Sequence, residues 1–351
     1  MKILYGLPSE GMGHATRSKV IISHLSKNND VRIVTSDRAY SFMEDNFPGK
    51  VYEIKGFHLA YKNGSISQFR TVTEFFKNSP KGLIENFHKY KFIKNEFEPD
   101  LVISDFESFT FFFAKFHKLP LISIDNIQVV NRCKLDFEIP KTEMQNYNIA
   151  KNIIKAKVPN ANYYLITSFF DAEIIKKNTE IIPPILREKI IKTKPTAGNH
   201  ILVYQTSTSQ NDIIPILNKV SKDRFFVYGF NRDENCGNVM LKKFSEDGFI
   251  NDLASARAVI TNGGFSLISE AVYLKKPVCS IPIKGQFEQL VNASYIEKCN
   301  YGRNFNGFSS DLIKSFLYDL NIFQKNLDSY KQDGNRETFN KIDKIIEMTV
   351  K

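Results

Sequence analysis

Cysteines are few in this sequence, and none occurs in a paired metal-binding spacing. The four are Cys133, Cys236, Cys279 and Cys299. Their positions give neither a zinc-ligand pattern nor the framework of a small disulfide-bonded domain. We therefore expect reduced thiols in a cytoplasmic protein.

Long apolar runs are also missing. No stretch of about 18 apolar residues occurs, so the sequence predicts no transmembrane helix. The N-terminal segment MKILYGLPSEGMGH has a short apolar run followed by glycines, which predicts a first β-strand and not a signal peptide. The expected location is the cytoplasm, with peripheral contact at the inner face of a membrane as an open alternative.

The motifs of two further protein classes are absent. The basic residues are scattered, without arginine-rich runs or a nucleic-acid-binding motif, so we expect no nucleic acid partner. No Asp-x-Asp pair follows a predicted strand. We therefore expect no essential divalent metal, and nothing in the sequence indicates another cofactor.

The overall composition is that of a soluble globular protein. The chain has 351 residues, 42% hydrophobic and 25% charged, which suggests about two domains. Its net charge of +10 favours an anionic partner such as a nucleotide diphosphate or an acidic membrane face. The abundance of Lys, Asn, Ile and Phe is equally typical of an AT-biased genome, so the charge alone decides little.

One stretch of the C-terminal half combines a strand, a glycine turn and an apolar-faced helix. Ala258–Ile260 is the predicted strand, Gly263 and Gly264 form the turn, and Ser266 opens the helix. Such a turn lets the backbone approach a ligand closely, and the helix start suits a phosphate. Glu270 lies one helical turn further on. Because a carboxylate repels phosphate, Glu270 is better suited to neutral hydroxyls such as a ribose diol.

This stretch resembles the donor-site signature of GT-B glycosyltransferases. The resemblance covers roughly residues 239–303 and is greatest to glycosyltransferase family 28, the MurG-like enzymes. The alternative is an ordinary βαβ unit whose glycines only make turns. The resemblance implies donor contacts at Gly263, Gly264, Phe265, Ser266, Glu270, Gln286, Glu288 and Gln289.

A second glycine turn follows the first predicted strand. Gly11, Gly13 and His14 do not form a dinucleotide fingerprint, because Thr16 stands where the third glycine belongs. His14 lies at a helix start, where the dipole disfavours an imidazolium, so a neutral His14 is a candidate general base. A packing or capping role is the alternative. The turn resembles the N-terminal motif of the same family, which implies acceptor contacts for Gly11, Gly13 and Arg17.

Polar side chains follow two further predicted strands. Asp105 comes directly after a buried strand, where parallel sheets bind ligands. It is a candidate to orient His14, to act as the base itself, or to cap a helix. Asp125, Asn126 and Gln128 follow the next strand and resemble the family's polar segment facing the acceptor.

Residues 51–97 combine aromatic and basic side chains, and Thr73–Phe97 is predicted to form one or two helices. An amphipathic helix of this composition binds an anionic membrane surface. The alternative is a helix that packs its phenylalanines on the sheet and exposes its lysines to solvent.

The alternation of strands and helices predicts two Rossmann-like, doubly wound α/β domains. We expect an acceptor-binding domain over residues 1–186 with Tyr163–Ser168 as its last strand, a linker over 187–199, and a donor-binding domain over 200–325. Residues 326–351 should form a C-terminal helix that packs back on the first domain. The resemblance implies the GT-B arrangement, with a cleft between the domains.

The resemblance implies donor contacts at two more pairs of residues in the second domain. Thr206 and Ser207 follow a predicted strand, at a turn where relatives carry glycines that touch the donor phosphates. Phe249 and Ile250 correspond to a loop that holds the nucleotide base through its backbone, and a short helix is expected to follow them.

The resemblance implies an inverting glycosyltransferase (a hexosyltransferase of class EC 2.4). It would move a sugar from a nucleotide-diphosphate sugar, with UDP-sugar expected, to a hydroxyl of a glycan, lipid or small molecule. A nucleotide-sugar epimerase or hydrolase on the same fold is one alternative, and a non-catalytic sugar-nucleotide-binding subunit is another. The epimerase requires acid–base groups around the donor sugar, and His14 is the one histidine at an evident site. The chain carries both half-domains, which favours the transferase over the binding subunit.

Overall fold

A computed structural model describes residues 1–9, 11–55, 61–62, 65–66, 88–205, 213–220 and 222–350. The chain forms two compact units, Met1–Ile185 together with Gly334–Lys351, and Leu186–Asp333. The segment expected as a linker over residues 187–199 lies within the second unit. The C-terminal segment of the first unit begins at Gly334, eight residues after the expected position.

The first unit is built on a parallel sheet. Its strands are β1 (Lys2–Gly6), β2 (Asp30–Thr35), β3 (Val51–Glu53), β4 (Tyr61–Lys62), β5 (Ser65–Ile66), β6 (Leu101–Ser104), β7 (Leu121–Asp125), β8 (Cys133–Lys134), β9 (Tyr163–Thr167), β10 (Glu173–Ile174) and β11 (Thr179–Ile182). Seven of these form one sheet in the order β11-β9-β7-β6-β1-β2-β3, with every neighbouring pair parallel. β4 pairs with β5 and β8 with β10, both antiparallel.

The strand expected to be the last of this sheet is not its last. β11 extends the sheet beyond β9, with which it pairs in parallel. Two prolines, Pro183 and Pro184, come directly after β11. They end the strand because proline has no N–H for the ladder.

Helices cover both faces of this sheet. They are α1 (Met12–Leu25), α2 (Asp37–Asn46), α3 (88–97), α4 (Ser108–His117), α5 (Val129–Arg132) and α6 (Met144–Lys157). Successive strand residues point to opposite faces, so Ile3 and Tyr5 join one core with α1 and α2, while Leu4 joins another with α3 and α4. Of the predicted helical segment Thr73–Phe97, only 88–97 falls within the described residues.

The second unit has a largely parallel sheet of its own. Its strands are β12 (His200–Tyr204), β13 (Arg224–Tyr228), β14 (Glu234–Cys236), β15 (Val239–Leu241), β16 (Ala258–Thr261), β17 (Val278–Ser280) and β18 (Gly302–Asn304). They follow the order β14-β15-β13-β12-β16-β17-β18, and only the edge strand β14 runs antiparallel to its neighbour. Its helices are α7 (Glu188–Lys192), α8 (Ile213–Asn218), α9 (Glu246–Ser255), α10 (Phe265–Tyr273), α11 (Phe287–Lys298), α12 (Ser310–Tyr318) and α13 (Leu320–Ser329).

The last helix of the chain, α14 (Arg336–Val350), belongs to the first unit. Its Ile342, Ile345 and Ile346 join the same core as α1 and α2. Asp343 bonds to His24 Nε2 at 2.9 Å, and the His24 ring stacks on another α14 side chain. The predicted α/β class with parallel sheets is therefore confirmed. None of the helices in the described ranges is long and apolar enough to cross a membrane.

Candidate functional site

A buried carboxylate lies at the carboxyl end of β6. Asp105 has no exposed surface, and its backbone N–H donates to Gly6 O at 2.8 Å, which extends the β1–β6 ladder by one bond. Arg17 donates to both of its oxygens, Nη2 to Oδ1 at 2.5 Å and Nε to Oδ2 at 3.2 Å. Ser18 Oγ donates to Oδ2 at 3.0 Å, and His14 Nδ1 lies 3.0 Å from Oδ1. Asp105 is thus the centre of a polar cluster formed with α1.

The charge of Asp105 is stabilised by this cluster. Burial alone would raise its pKa, but the positive Arg17 and the neighbouring His14 bring the pKa of Asp105 down to about 2. The carboxylate therefore stays ionised at physiological pH. Asp105 does not cap α4, although capping was one of its three predicted roles. Glu107 is the cap, because its carboxylate accepts from Phe109 N and Thr110 N, both at 2.7 Å.

His14 lies in the first turn of α1. The helix begins directly after Gly11, which has a φ of 79° that glycine adopts without strain. The imidazole is 16% exposed, so one part of the ring reaches the surface while Nδ1 faces Asp105. Arg17 Nη2 also lies 2.9 Å from His14 Nδ1 and donates to it when the ring proton is on Nε2, because a guanidinium has no acceptor. When the ring proton is on Nδ1 and bonded to Asp105, Nε2 retains the lone pair that a general base needs.

Polar residues at the end of β7 and just after it are joined to this cluster through Arg17. Asp125 has no exposed surface and accepts from Ser123 Oγ at 2.7 Å and from Gln128 N at 2.8 Å. Burial raises the pKa of Asp125 to about 6. Asn126 Oδ1 accepts from Arg17 Nη1 at 2.8 Å. Gln128 Oε1 accepts from Asn131 Nδ2 at 3.2 Å, and the three residues expected to contact an acceptor here are all buried.

In the second unit, the predicted glycine turn follows β16. Gly263 has a φ of 99°, and a Cβ there would lie 2.9 Å from both Gln289 O and Ser280 Oγ, so only glycine fits. Asn292 Nδ2 donates to Gly263 O at 2.9 Å, which ties the turn to α11. Gly264 is the N-cap of α10. It gives the helix no side-chain cap, and a Cβ at this position would meet nothing within 4 Å. The side of Gly264 on which a side chain would stand is therefore open.

Glu270 is held by an arginine that the sequence did not single out. Arg187 Nε and Nη2 donate to the two carboxylate oxygens of Glu270 at 2.6 and 2.7 Å, and Arg187 Nη1 donates to Glu246 at 3.2 Å. Burial raises the pKa of Glu270, and Arg187 opposes that rise. Sequence reasoning placed Arg187 in a linker, and no local signal relates it to a carboxylate 83 positions away.

The glutamines predicted at the donor site lie at the start of α11. Gln286 is the N-cap, and Gln289 Nε2 donates to Gln286 Oε1 at 2.5 Å. Gln289 Oε1 accepts from Ile283 N at 3.0 Å. Glu288 in the same turn is half-buried. Because Gln289 also borders Gly263, the structure brings these side chains and the glycine turn together.

The model of the family described as glycosyl transferase family 1 matches residues 1–321. This chain belongs to glycosyl transferase family 1. Two curated relatives, both described as uncharacterized glycosyltransferases, agree with this. One from Methanosarcina acetivorans is 25% identical over 337 residues, which are 86% of this chain and 85% of the relative. One from Methanosarcina mazei is 24% identical over 339 residues, with the same shares.

Solved structures show which fold this family 1 chain has. The glycotransferase of kitacinnamycin has a TM-score of 0.68 at 13% identity, and 99% of this chain and 98% of that chain are covered. The calicheamicin glycosyltransferase CalG4 gives 0.66 at 14% with the same coverage, and the spinosyn forosaminyltransferase SpnP gives 0.67 at 12% with full coverage of both. The GT-B fold is therefore confirmed. The finer family 28 resemblance is not confirmed by these matches.

One structural prediction for this glycosyltransferase, the loop at Phe249 and Ile250, is wrong. Phe249 and Ile250 do not lie in a loop but inside α9, where both are buried. Phe249 N donates to Ser245 O at 2.9 Å, so this helical N–H is not free to hold a base. The signal that could have located α9 is Ser245, whose Oγ caps the helix at Gly248 N, followed by two acidic residues in the first turn.

The remaining predicted donor contacts, Thr206 and Ser207, lie outside the described residues. Across the part of the chain that the structure describes, no group of three or more His, Cys, Asp or Glu side chains is arranged to hold a metal ion. All four cysteines fall within that part, and none of them forms a disulfide.

Proposed function

We propose that this enzyme is an inverting glycosyltransferase that uses a nucleotide-diphosphate sugar, with UDP-sugar as the expected donor. The observation that carries the proposal is the pairing of His14 with Asp105 at 3.0 Å. A histidine held through Nδ1 by a buried, ionised carboxylate is a general base whose Nε2 is presented to a substrate.

In the proposed reaction, His14 Nε2 takes the proton of the acceptor hydroxyl as its oxygen attacks the anomeric carbon. The bond from that carbon to the diphosphate oxygen breaks, and the configuration is inverted in one displacement. Asp105 stabilises the imidazolium that forms. Arg17 touches Asp105 and Asn126 and is enclosed with them, so it acts as a positioning residue for the base and not as a direct acceptor contact.

The leaving diphosphate gains negative charge, which the N-terminus of α10 is suited to stabilise. The open space beside Gly264 supports this assignment, because no side chain stands there between a phosphate and the backbone. Metal independence is part of the proposal. A transfer assay in EDTA should run at the rate of the untreated enzyme, and recovery by Mg²⁺ or Mn²⁺ after loss would show that a cation stabilises the diphosphate instead.

Glu270 is proposed to accept hydrogen bonds from the ribose diol. Arg187 occupies one bonding direction on each carboxylate oxygen, and a carboxylate has about four lone-pair sites. Two positions therefore remain for the two hydroxyls of a ribose. Arg187 fixes the plane of the Glu270 carboxylate, so that both oxygens keep one orientation.

The test is calorimetric titration with UDP and other nucleoside diphosphates, using wild type and Glu270→Gln. The amide retains the size of the side chain but loses its charge, so affinity should fall by about tenfold to a hundredfold, or about 1.5–3 kcal/mol. Glu297→Gln is the matched control, because Glu297 is an exposed glutamate of the same unit. Equal affinity of Glu270→Gln and wild type would remove Glu270 from the donor site.

A further inference from the structure

The helices on one face of the first unit carry a charge imbalance that α1, α2 and α14 lack. Seven lysines and one carboxylate, that of Glu96, lie on the three helices α3 (88–97), α4 (108–117) and α6 (144–157). Glu96 accepts from Tyr52 OH at 2.7 Å. By contrast, α1, α2 and α14 hold six basic and six acidic residues. A biased composition of the whole chain would affect both sets of helices, so the imbalance belongs to this face.

Large aromatic side chains stand out from the same helices. Phe112 and Phe116 are 55% and 61% exposed and lie one turn apart on α4, while Phe92 on α3 is 52% exposed. Their neighbours Phe109 and Phe113 pack into the core, so α4 has phenylalanine on both its inner and its outer side. Exposed aromatics surrounded by polar residues mark an interaction surface.

We propose that this α3–α4–α6 surface docks on an anionic lipid bilayer. Phenylalanine rings bury at the boundary between headgroups and acyl chains, and lysines beside them are attracted by anionic headgroups. A second copy of this chain fits the surface poorly. A symmetric dimer would place the same lysine-rich face against itself, and like charges would oppose each other.

The docking has a consequence for the acceptor. An enzyme held on a bilayer meets acceptors that are confined to the bilayer, so the hydroxyl it glycosylates belongs to a lipid or a lipid-linked glycan. This consequence rests on the proposed function, whereas vesicle binding itself requires no catalysis.

Vesicle flotation of the full-length protein tests the proposal. Wild type should float with vesicles of phosphatidylcholine mixed with phosphatidylglycerol and remain behind with phosphatidylcholine alone. The Phe112→Ser/Phe116→Ser variant should bind at least about tenfold more weakly, because two inserted rings are lost. The Lys91→Gln/Lys155→Gln variant should lose about fivefold for each charge removed. Met348→Ser and Lys344→Gln are matched controls on α14, where Met348 is 58% exposed, and they should bind as wild type does.

Three outcomes would overturn the proposal: equal binding to neutral vesicles, unchanged binding of both double variants, or equal losses in the α14 controls. Analytical ultracentrifugation adds a fourth, since a dimer that Phe112→Ser/Phe116→Ser converts to a monomer would identify a second copy as the occupant. Melting temperatures confirm that each variant is folded. Flotation without measurable sugar transfer would count against the proposed function and leave the surface in place.

Discussion

At the scale of single residues, the charge of Asp105 depends on its partners. An isolated carboxylate in a protein interior would take up a proton, because burial disfavours the ionised form. Arg17 contributes a positive charge and two hydrogen bonds, and Ser18 contributes another. Removing one partner leaves the others buried and unsatisfied. His14 is at the edge of this cluster and partly exposed, so its loss leaves the buried charges paired.

His14→Ala should therefore lower turnover by about 10²–10⁴-fold with little change in stability or in donor affinity, because it removes a base and no buried ion pair. Asp105→Asn should lower turnover too, and it should also destabilise the protein by about 3–5 kcal/mol because Arg17 loses its buried counter-charge. Steady-state kinetics at saturating donor and urea unfolding measure the two effects.

His24→Ala is the matched control, since His24 lies on the same helix and bonds to Asp343 instead. A His14→Ala enzyme with the turnover of His24→Ala would show that the imidazole has no part in the chemistry. A stable but inactive Asp105→Asn would point to Asp105 as the base itself.

Asp125 gives a prediction about pH. Burial raises its pKa from 3.8 to about 6, so the folded state holds this proton at a pH where the unfolded state has released it. The stabilisation from that proton is lost as pH rises from about 4 to about 6, and no further change occurs above that range. Asp125→Asn cannot ionise. Its stability relative to wild type should rise by about 3 kcal/mol between about pH 4 and about pH 7.

Urea unfolding across that pH range checks the prediction. Asp171→Asn is the control, because Asp171 is an exposed aspartate of the same unit. A stability difference between Asp125→Asn and wild type that stays constant with pH would mean that Asp125 titrates in its ordinary range.

The sequence located His14 and Asp105 because each follows a predicted strand of a parallel sheet, and such strand ends meet at one edge. It did not reveal that Arg17 and Asn126 belong to the same cluster as enclosed partners. Distinguishing a substrate contact from a buried partner requires knowledge of which side chains cover it. Arg187 could not be related to Glu270 at all, because their pairing depends on packing between distant segments.

At the scale of elements, β1 and α4 meet at Gly6. A Cβ at this position would lie 2.4 Å from both Cγ2 and Oγ1 of Thr110, whose hydroxyl donates to the capping carboxylate of Glu107 at 2.8 Å. Glycine thus allows the first turn of α4 to lie against β1, the strand that precedes the turn at His14. The contact joins the end of β1 to the helix that follows Asp105.

Gly6→Ala should destabilise the protein by about 1–3 kcal/mol through overpacking. Thr110→Ala should cost about 1 kcal/mol through its lost hydroxyl bond. The double variant should be more stable than the sum of the two predicts, because removing the threonine methyl and hydroxyl relieves the overlap. A double-mutant cycle by urea unfolding measures the coupling, and strict additivity would show that the two residues do not touch.

The prediction of a strand was accurate where the apolar residues formed one short continuous run. The buried strand β16 is short and almost wholly apolar, and it forms within about a residue of its expected limits. α9 was misplaced because the family resemblance implied a loop at Phe249 and Ile250. In the structure Gly248 is in the first turn of the helix, where its N–H meets the Ser245 cap and no interior helix position is weakened.

At the scale of the whole molecule, the first unit is assembled from two distant parts of the chain. α14 packs on the sheet through Ile342, Ile345 and Ile346, and Thr338 Oγ1 donates to Pro183 O at 3.0 Å. The chain leaves this unit after Ile185 and re-enters it at Gly334. The stability of the sheet around β7, β9 and β11 therefore depends on residues that lie more than 150 positions further along the chain.

Ile345→Ala should destabilise the first unit by about 2–5 kcal/mol, since Ile345 is 1% exposed and its loss leaves a cavity beneath the sheet. Hydrogen exchange followed by mass spectrometry shows where the effect falls. Exchange should accelerate in α14 and in β7, β9 and β11, and it should stay unchanged in β12, β13, β16 and β17 of the second unit. Met348→Ala, on the exposed side of the same helix, should leave every one of these segments as in wild type. Acceleration in both units would mean that they unfold together, whereas acceleration confined to α14 would mean that the sheet holds without it.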